Sequence, residues 1–155
     1  LRNSSAASDV YKRQIYDLEM FLQHGKNPFL RYLQRDIVGA GARITVNDHA
    51  RLGLGVLSEN EEDLNQLKTR TERLATYFHD DFEVSENMDF NITVYYQPAF
   101  EENEDFKASL IGALDFKMNE KFKVTLQYNT FYDSRPPITA LKRDEGIATN
   151  FSYSF

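Results

Sequence analysis

The chain has 155 residues, a net charge of −6 and no cysteine. The acidic balance argues against nucleic acid, which calls for a basic stripe, and the missing cysteine removes disulfides, thiolate metal sites and a Cys nucleophile. No apolar run is long enough for a transmembrane helix, although a membrane β-barrel needs none because its strands alternate.

Residues 1–14, "LRNSSAASDVYKRQ", are Ser/Ala-rich, lack strand alternation and begin without Met. They read as a non-native, adaptor-like or disordered segment and are set aside. The remainder, 15–155, is expected to be the C-terminal portion of a barrel whose natural start and export signal lie upstream.

From residue 15 onward the apolar residues recur with a period of two, the mark of strands with one apolar and one polar face. The first run places Tyr16, Leu18, Met20 and Leu22 on one face. The second, 37–46, places Val38, Ala40, Ala42, Ile44 and Val46 against Gly39, Gly41, Arg43 and Thr45. The third, 51–57, sets Leu52, Leu54 and Val56 against Arg51, Gly53 and Gly55. In the fourth, 71–82, the apolar face is Leu74, Thr76 and Phe78. The fifth, 88–97, alternates Met88, Phe90, Ile92, Val94 and Tyr96 with Asp89, Asn91, Thr93, Tyr95 and Gln97. The sixth, 106–118, sets Phe106, Ala108, Leu110, Gly112, Leu114, Phe116 and Met118 against Lys107, Ser109, Ile111, Ala113, Asp115 and Lys117. The seventh, 122–133, opposes Phe122, Val124, Leu126 and Tyr128 to Lys123, Thr125, Gln127 and Asn129. The eighth, 148–155, carries Phe151, Tyr153 and Phe155 to the last residue.

The connections alternate in length. Residues 24–34, 58–67, 98–105 and 133–146 read as long loops, and 47–50, 83–87 and 119–121 as short turns. Bacterial outer-membrane barrels have this rhythm, with short periplasmic turns and longer outside loops. A last strand arriving from a long loop would end at the periplasmic rim.

Alternation by itself does not say which solvent the apolar face meets, because inverting the faces of a soluble sheet yields the same string. The membrane reading is favoured by charge-free apolar faces in runs five to eight. It is also favoured by aromatics near strand ends (Tyr95, Tyr96, Phe100, Phe116, Phe122, Tyr132, Tyr153, Phe155), as an interfacial girdle requires. A one-residue slip would put Lys107, Asp115, Lys117 and Lys123 into lipid together. If Phe90, Leu110, Leu126 and Phe151 met across an interior instead, the membrane reading would fail.

The stretches "YYQP" (95–98), "YDSRPP" (132–137) and the closing "YSF" (153–155) resemble a family of uncharacterised, salt-induced outer-membrane β-barrel proteins. The resemblance covers most of 15–155 in layout. It implies an outer-membrane barrel in a Gram-negative envelope, in contact with lipid and lipopolysaccharide. It also implies that Phe151, Tyr153 and Phe155 form the C-terminal signal read by the barrel-insertion machinery. No activity comes with it. Arg135, Pro136 and Pro137 lie in the last outside loop, where the two prolines would stiffen the chain.

Candidate chemistry is sparse. "HDD" (His79, Asp80, Asp81) sits near the short-turn end and is weak as a catalytic signal, because a triad is defined by geometry. His24 has no obvious partner, and His49 is expected in a turn. "SENEED" (58–63) offers Glu59, Glu61, Glu62 and Asp63, but without calcium-loop spacing it reads as a solvated loop. "GAG" (39–41) is read as strand, its small residues leaving room for bulky ones opposite. The fold expected is all-β: an antiparallel up-and-down transmembrane barrel with about eight strands visible. The function expected is an envelope structural role or a narrow pore, without enzymatic activity, cofactor or metal. The competitors are a barrel hydrolase with a rim site and a soluble ligand-binding β-barrel.

Overall fold

A computed structural model describes residues 16–27, 32–137 and 140–155; the segment 1–14 lies outside them. The described residues are all-β, with strands β1 (Tyr16–Asn27), β2 (Tyr32–Thr45), β3 (Ala50–Asp63), β4 (Lys68–Ser85), β5 (Met88–Pro98), β6 (Phe106–Lys117), β7 (Phe122–Asp133) and β8 (Arg143–Tyr153). They form one antiparallel sheet in sequence order, an up-and-down meander. The outermost strands, β1 and β8, are not paired with each other.

The alternation in the sequence sorts the two faces. On β1 the residues Leu18, Met20 and Leu22 are 86%, 88% and 83% exposed. The same outward face carries Val38 and Ile44 on β2, Leu52, Leu54 and Val56 on β3, Phe78 and Phe82 on β4, Leu126 on β7 and Phe151 on β8, all exposed. Phe90, Leu110, Leu126 and Phe151 lie on this outer surface and do not meet across an interior. The buried side chains on the other face include charged ones: Glu59, Asp63, Arg73, Lys107 and Asp133. Asp80 is the exception within the belt. It pairs in register with Ala50 and Ile92 on the outward side, between Phe78 and Phe82.

The sheet curls strongly. Neighbouring strands are about 4.8 Å apart, so β3 and β6 would be about 14 Å apart on a flat sheet. Yet Lys107 Nζ on β6 lies 2.8 Å from Glu59 on β3. Likewise the Tyr77 hydroxyl on β4 donates to Glu19 on β1 at 2.9 Å. Inward side chains three strands apart meet, so the charged face is the concave one.

Glycines on β2 and β3 permit this curl. A Cβ at Gly39 would fall inside the Phe21 ring, and one at Gly53 inside the Tyr77 ring. Gly41 and Gly55 face each other across the ladder, a Cβ on either coming 2.8 Å from the other's Cα. The small residues of "GAG" do make room for a bulky neighbour, as the sequence suggested.

The connections depart from expectation. "SENEED" is not a loop: β3 continues to Asp63 and β4 begins at Lys68, leaving a turn over 64–67. The first connection shrinks in the same way, because β1 runs to Asn27 and β2 starts at Tyr32. The last shortens to 134–142 as β8 starts at Arg143. These extensions are strands with polar residues on both faces, which hydrophobic periodicity does not register. Asn and Asp side chains close several turns by accepting backbone N–H bonds. Asn47 takes those of His49 and Ala50, Asn119 those of Lys121 and Phe122, and Asp63 those of Asn65 and Leu67.

Candidate functional site

The concave face near the long-connection end holds a buried ion cluster centred on Glu59. Its partners come from three strands and from inward positions displaced along them, Arg35 lying opposite Glu61 and Arg73 opposite Leu57 in the register, so the long side chains reach Glu59 diagonally. Arg35 on β2 donates through Nε at 2.5 Å, Arg73 on β4 through Nε at 2.8 Å, and Lys107 on β6 through Nζ at 2.8 Å. Lys107 also reaches Glu61 at 3.1 Å and Asp133 at 3.6 Å. Arg73 donates to the carbonyls of Gln97 (3.3 Å) and Asp105 (3.4 Å), and to the Asp105 carboxylate (3.2 Å).

Three cations on one carboxylate would repel one another without it, and Glu61, Asp133 and Asp105 balance them. Buried charges persist only when paired and hydrogen-bonded. Here each charge faces an opposite one, with only Asp105 Oδ1 buried without a hydrogen bond although it lies 3.0 Å from Arg73, so the set acts as a cross-brace between β2, β3, β4 and β6.

The last long connection covers this brace. Phe106 N–H donates to the Ser134 hydroxyl at 2.7 Å, and Ser134 N–H to the Phe106 carbonyl at 3.0 Å. Pro136 and Pro137 line the same small void as Arg35, Glu61 and Lys107. Arg135 turns to an ion pair with Glu102 in the β5–β6 connection. Its guanidinium holds the Glu102 carboxyl below the usual carboxylate range. The loop triplet Arg135, Pro136 and Pro137 therefore lies over the charged interior.

The concave face carries further pairs: Arg43 with Asp17 (3.1 Å) and Glu19 (3.2 Å), Lys117 with Asp89 (2.7 Å), and Lys123 with Asp115 (3.2 Å).

The histidines are not assembled into one site. His24 points outward and, against expectation, has a partner, Asp36 Oδ1 at 2.5 Å from its Nδ1. His79 points inward, 2.8 Å from the Thr93 hydroxyl and 2.9 Å from Asp81, while Asp80 faces the other way. "HDD" is thus split between the two faces by the strand period. His49 is in the turn over 46–49, where its carbonyl accepts the Asp81 N–H at 3.3 Å.

Aromatic side chains gather at both ends of the outward face. Toward the long connections, Phe106 lies 5.5 Å from both Tyr96 and Tyr132. Toward the short turns, Phe82 lies 5.1 Å from Phe90, and Phe122 lies 6.3 Å from Phe151. Tyr153 meets Phe155 edge-on at 5.3 Å, just past the end of β8. Tyr95, counted above with the outward aromatics, instead faces inward and contacts Tyr77 at 5.5 Å.

Sequence reasoning missed the ion cluster. Its traces were the charge alternation of 59, 61 and 63, which read as a solvated loop, and Lys107 on the polar face of the sixth run. Among the described residues no group of His, Asp and Glu has the arrangement of a metal site. The sequence matches, over residues 5–155, the family described as "Protein of unknown function, DUF481". No curated protein and no solved structure matches it.

Proposed function

We propose, from the premise that the chain belongs to the DUF481 family and from the geometry above, that it is part of an integral outer-membrane β-barrel. Its role would be structural or that of a narrow pore, without catalysis. The observation that carries this reading is the inversion of the two faces: large apolar side chains exposed on the convex surface, buried ion pairs on the concave one. In water such a surface is an association liability; against acyl chains it is the stable arrangement, because the backbone groups are paired within the sheet. The spacing of the aromatics supports it. Phe106 and Phe116 are ten residues apart on one strand, about 33 Å along it. A tilt near 45° converts this to about 23 Å, close to the apolar band of membrane barrels.

In this reading β1 and β8 require further pairing to close the sheet in lipid, since an open edge is not tolerated there. The ion cluster narrows the interior at the outer end, beneath the loop of Arg135, Pro136 and Pro137. Phe151, Tyr153 and Phe155 face the bilayer rim where insertion machinery would read them, and lipopolysaccharide would contact the outer end. Salt induction, implied by the resemblance, belongs to the same proposal and predicts higher protein levels in cells grown at raised NaCl.

The test is fractionation of the expressed chain. The reading expects recovery in detergent-extracted envelopes and a shift in gel mobility between unheated and boiled samples. Recovery in the soluble fraction after lysis would reject it. Deletion of Phe155 is expected to lower incorporation into the envelope, measured by immunoblot of the membrane fraction.

A further inference from the structure

Below the ion cluster the concave face opens into a cavity of about 630 Å³, within the size range of small-molecule sites. Tyr77, Tyr95, Gln97, Gln23, Glu19 and Phe21 border it, with Ile37, Leu57 and Ala75 as apolar wall, and it reaches the outward Leu18 and Met20 along the free edge of β1. Its room comes from β2 and β3, where Gly39 and Gly53 let the Phe21 and Tyr77 rings lie flat on the backbone.

The bordering groups select a ligand class. Glu19 is the one carboxylate among them, and it is already satisfied by Arg43 at 3.2 Å and by the Tyr77 hydroxyl at 2.9 Å. No uncompensated charge is therefore offered to a cation or an anion. By contrast, the Gln23 and Gln97 amides and the Tyr95 hydroxyl have no hydrogen-bond partner among the described residues. Each amide supplies both a donor and an acceptor. Tyr77 and Tyr95 stand 5.5 Å apart and tilted by 43°, so they are not stacked face to face. Aromatic rings beside unpaired amides match a molecule with C–H edges and many neutral hydroxyls.

We infer that this cavity is a weak binding site for neutral saccharides. The inference rests on the proposed function, since it names the solute class of that interior. Weak binding suits a pore, where a solute must leave as readily as it enters. Arg73 links the site to the ion cluster above it through the Gln97 carbonyl at 3.3 Å.

The test uses the full chain in detergent, its fold monitored by the heat-dependent gel shift. Saturation-transfer NMR is run with maltose and glucose, and with tetramethylammonium chloride and sodium benzoate as charged probes. Transfer to the sugar ring protons is expected, with the dissociation constant rising about tenfold in Gln97→Leu, which strips the amide from the cavity. Tyr95→Ala should abolish it, and Asn150→Ala should leave it unchanged. No transfer from either sugar, unchanged transfer in Tyr95→Ala, or preference for a charged probe would overturn the inference. A chain found in envelopes that binds no sugar loses the site and keeps the membrane reading. A soluble chain that binds sugar loses the membrane reading and keeps the site.

Discussion

Strands β3 and β8 obey the same alternation and end in opposite circumstances. On β3 the inward Leu57 and Glu59 are 2% and 3% exposed. On β8 the inward Asn150 and Ser152 are exposed like their outward neighbours. The difference is company. β3 has a strand on each side, and the curl of the sheet brings β6 across to it. β8 has only β7 beside it. Alternation sets which way a side chain points; burial then depends on what the sheet places opposite.

The comparison is broken most severely at Glu59. Glu59→Ala leaves Arg35, Arg73 and Lys107 facing one another without their shared anion. It should cost about 3–5 kcal/mol, read as a drop in unfolding midpoint in detergent. Asn150→Ala on β8 should stay within about 0.5 kcal/mol. Comparable losses at the two sites would refute the bracing role of the cluster.

Next in size is Leu110→Arg in the centre of the convex belt. If acyl chains cover that face, folding into lipid vesicles should weaken by about 2–4 kcal/mol. A change near zero would mean that water covers it. Gly53→Val probes the concave side. The new side chain occupies the space of the Tyr77 ring, so the ring must leave Glu19. Overpacking of this kind costs about 1–3 kcal/mol, and near-UV circular dichroism of the tyrosines should change with it.

The smallest effect is expected at the loops. Arg135 lowers the Glu102 carboxyl below its ordinary value. A depressed carboxyl contributes order above its unfolded pKa, near 4.3, and loses it as pH falls through the folded value. The protection of amides in 99–105, taken as the measured exchange rate relative to the intrinsic rate at the same pH, should therefore be high at neutral pH and lower in acid, and Arg135→Ala should remove the difference. Equal protection at both pH values would show that the pair does not hold the loop.

The faces of all eight strands were legible in the residues, from Leu18, Met20 and Leu22 to Phe151 and Tyr153, because an apolar side chain beside a polar one gives contrast at a period of two. Gly39 was legible too, as room for a bulky neighbour, whereas Gly41 faces Gly55 instead. Where both faces are polar that contrast vanishes. Glu59, Asn60, Glu61, Glu62 and Asp63 form strand as regular as Leu52–Val56, yet their string reads as loop. The outward partner of His24 was equally hidden, since Asp36 meets it only across the extended first hairpin.

The sequence by itself determined the strand class, the number of described strands and the facing of nearly every side chain, because these depend on neighbours one and two residues away. Only the tertiary structure decided that Glu59 would lie between Arg35, Arg73 and Lys107, that Arg135, Pro136 and Pro137 would fold over them, and that Tyr77 and Tyr95 would border a cavity. Those outcomes depend on curvature, which brings together side chains from strands that are not neighbours, and no local pattern records how far a sheet bends.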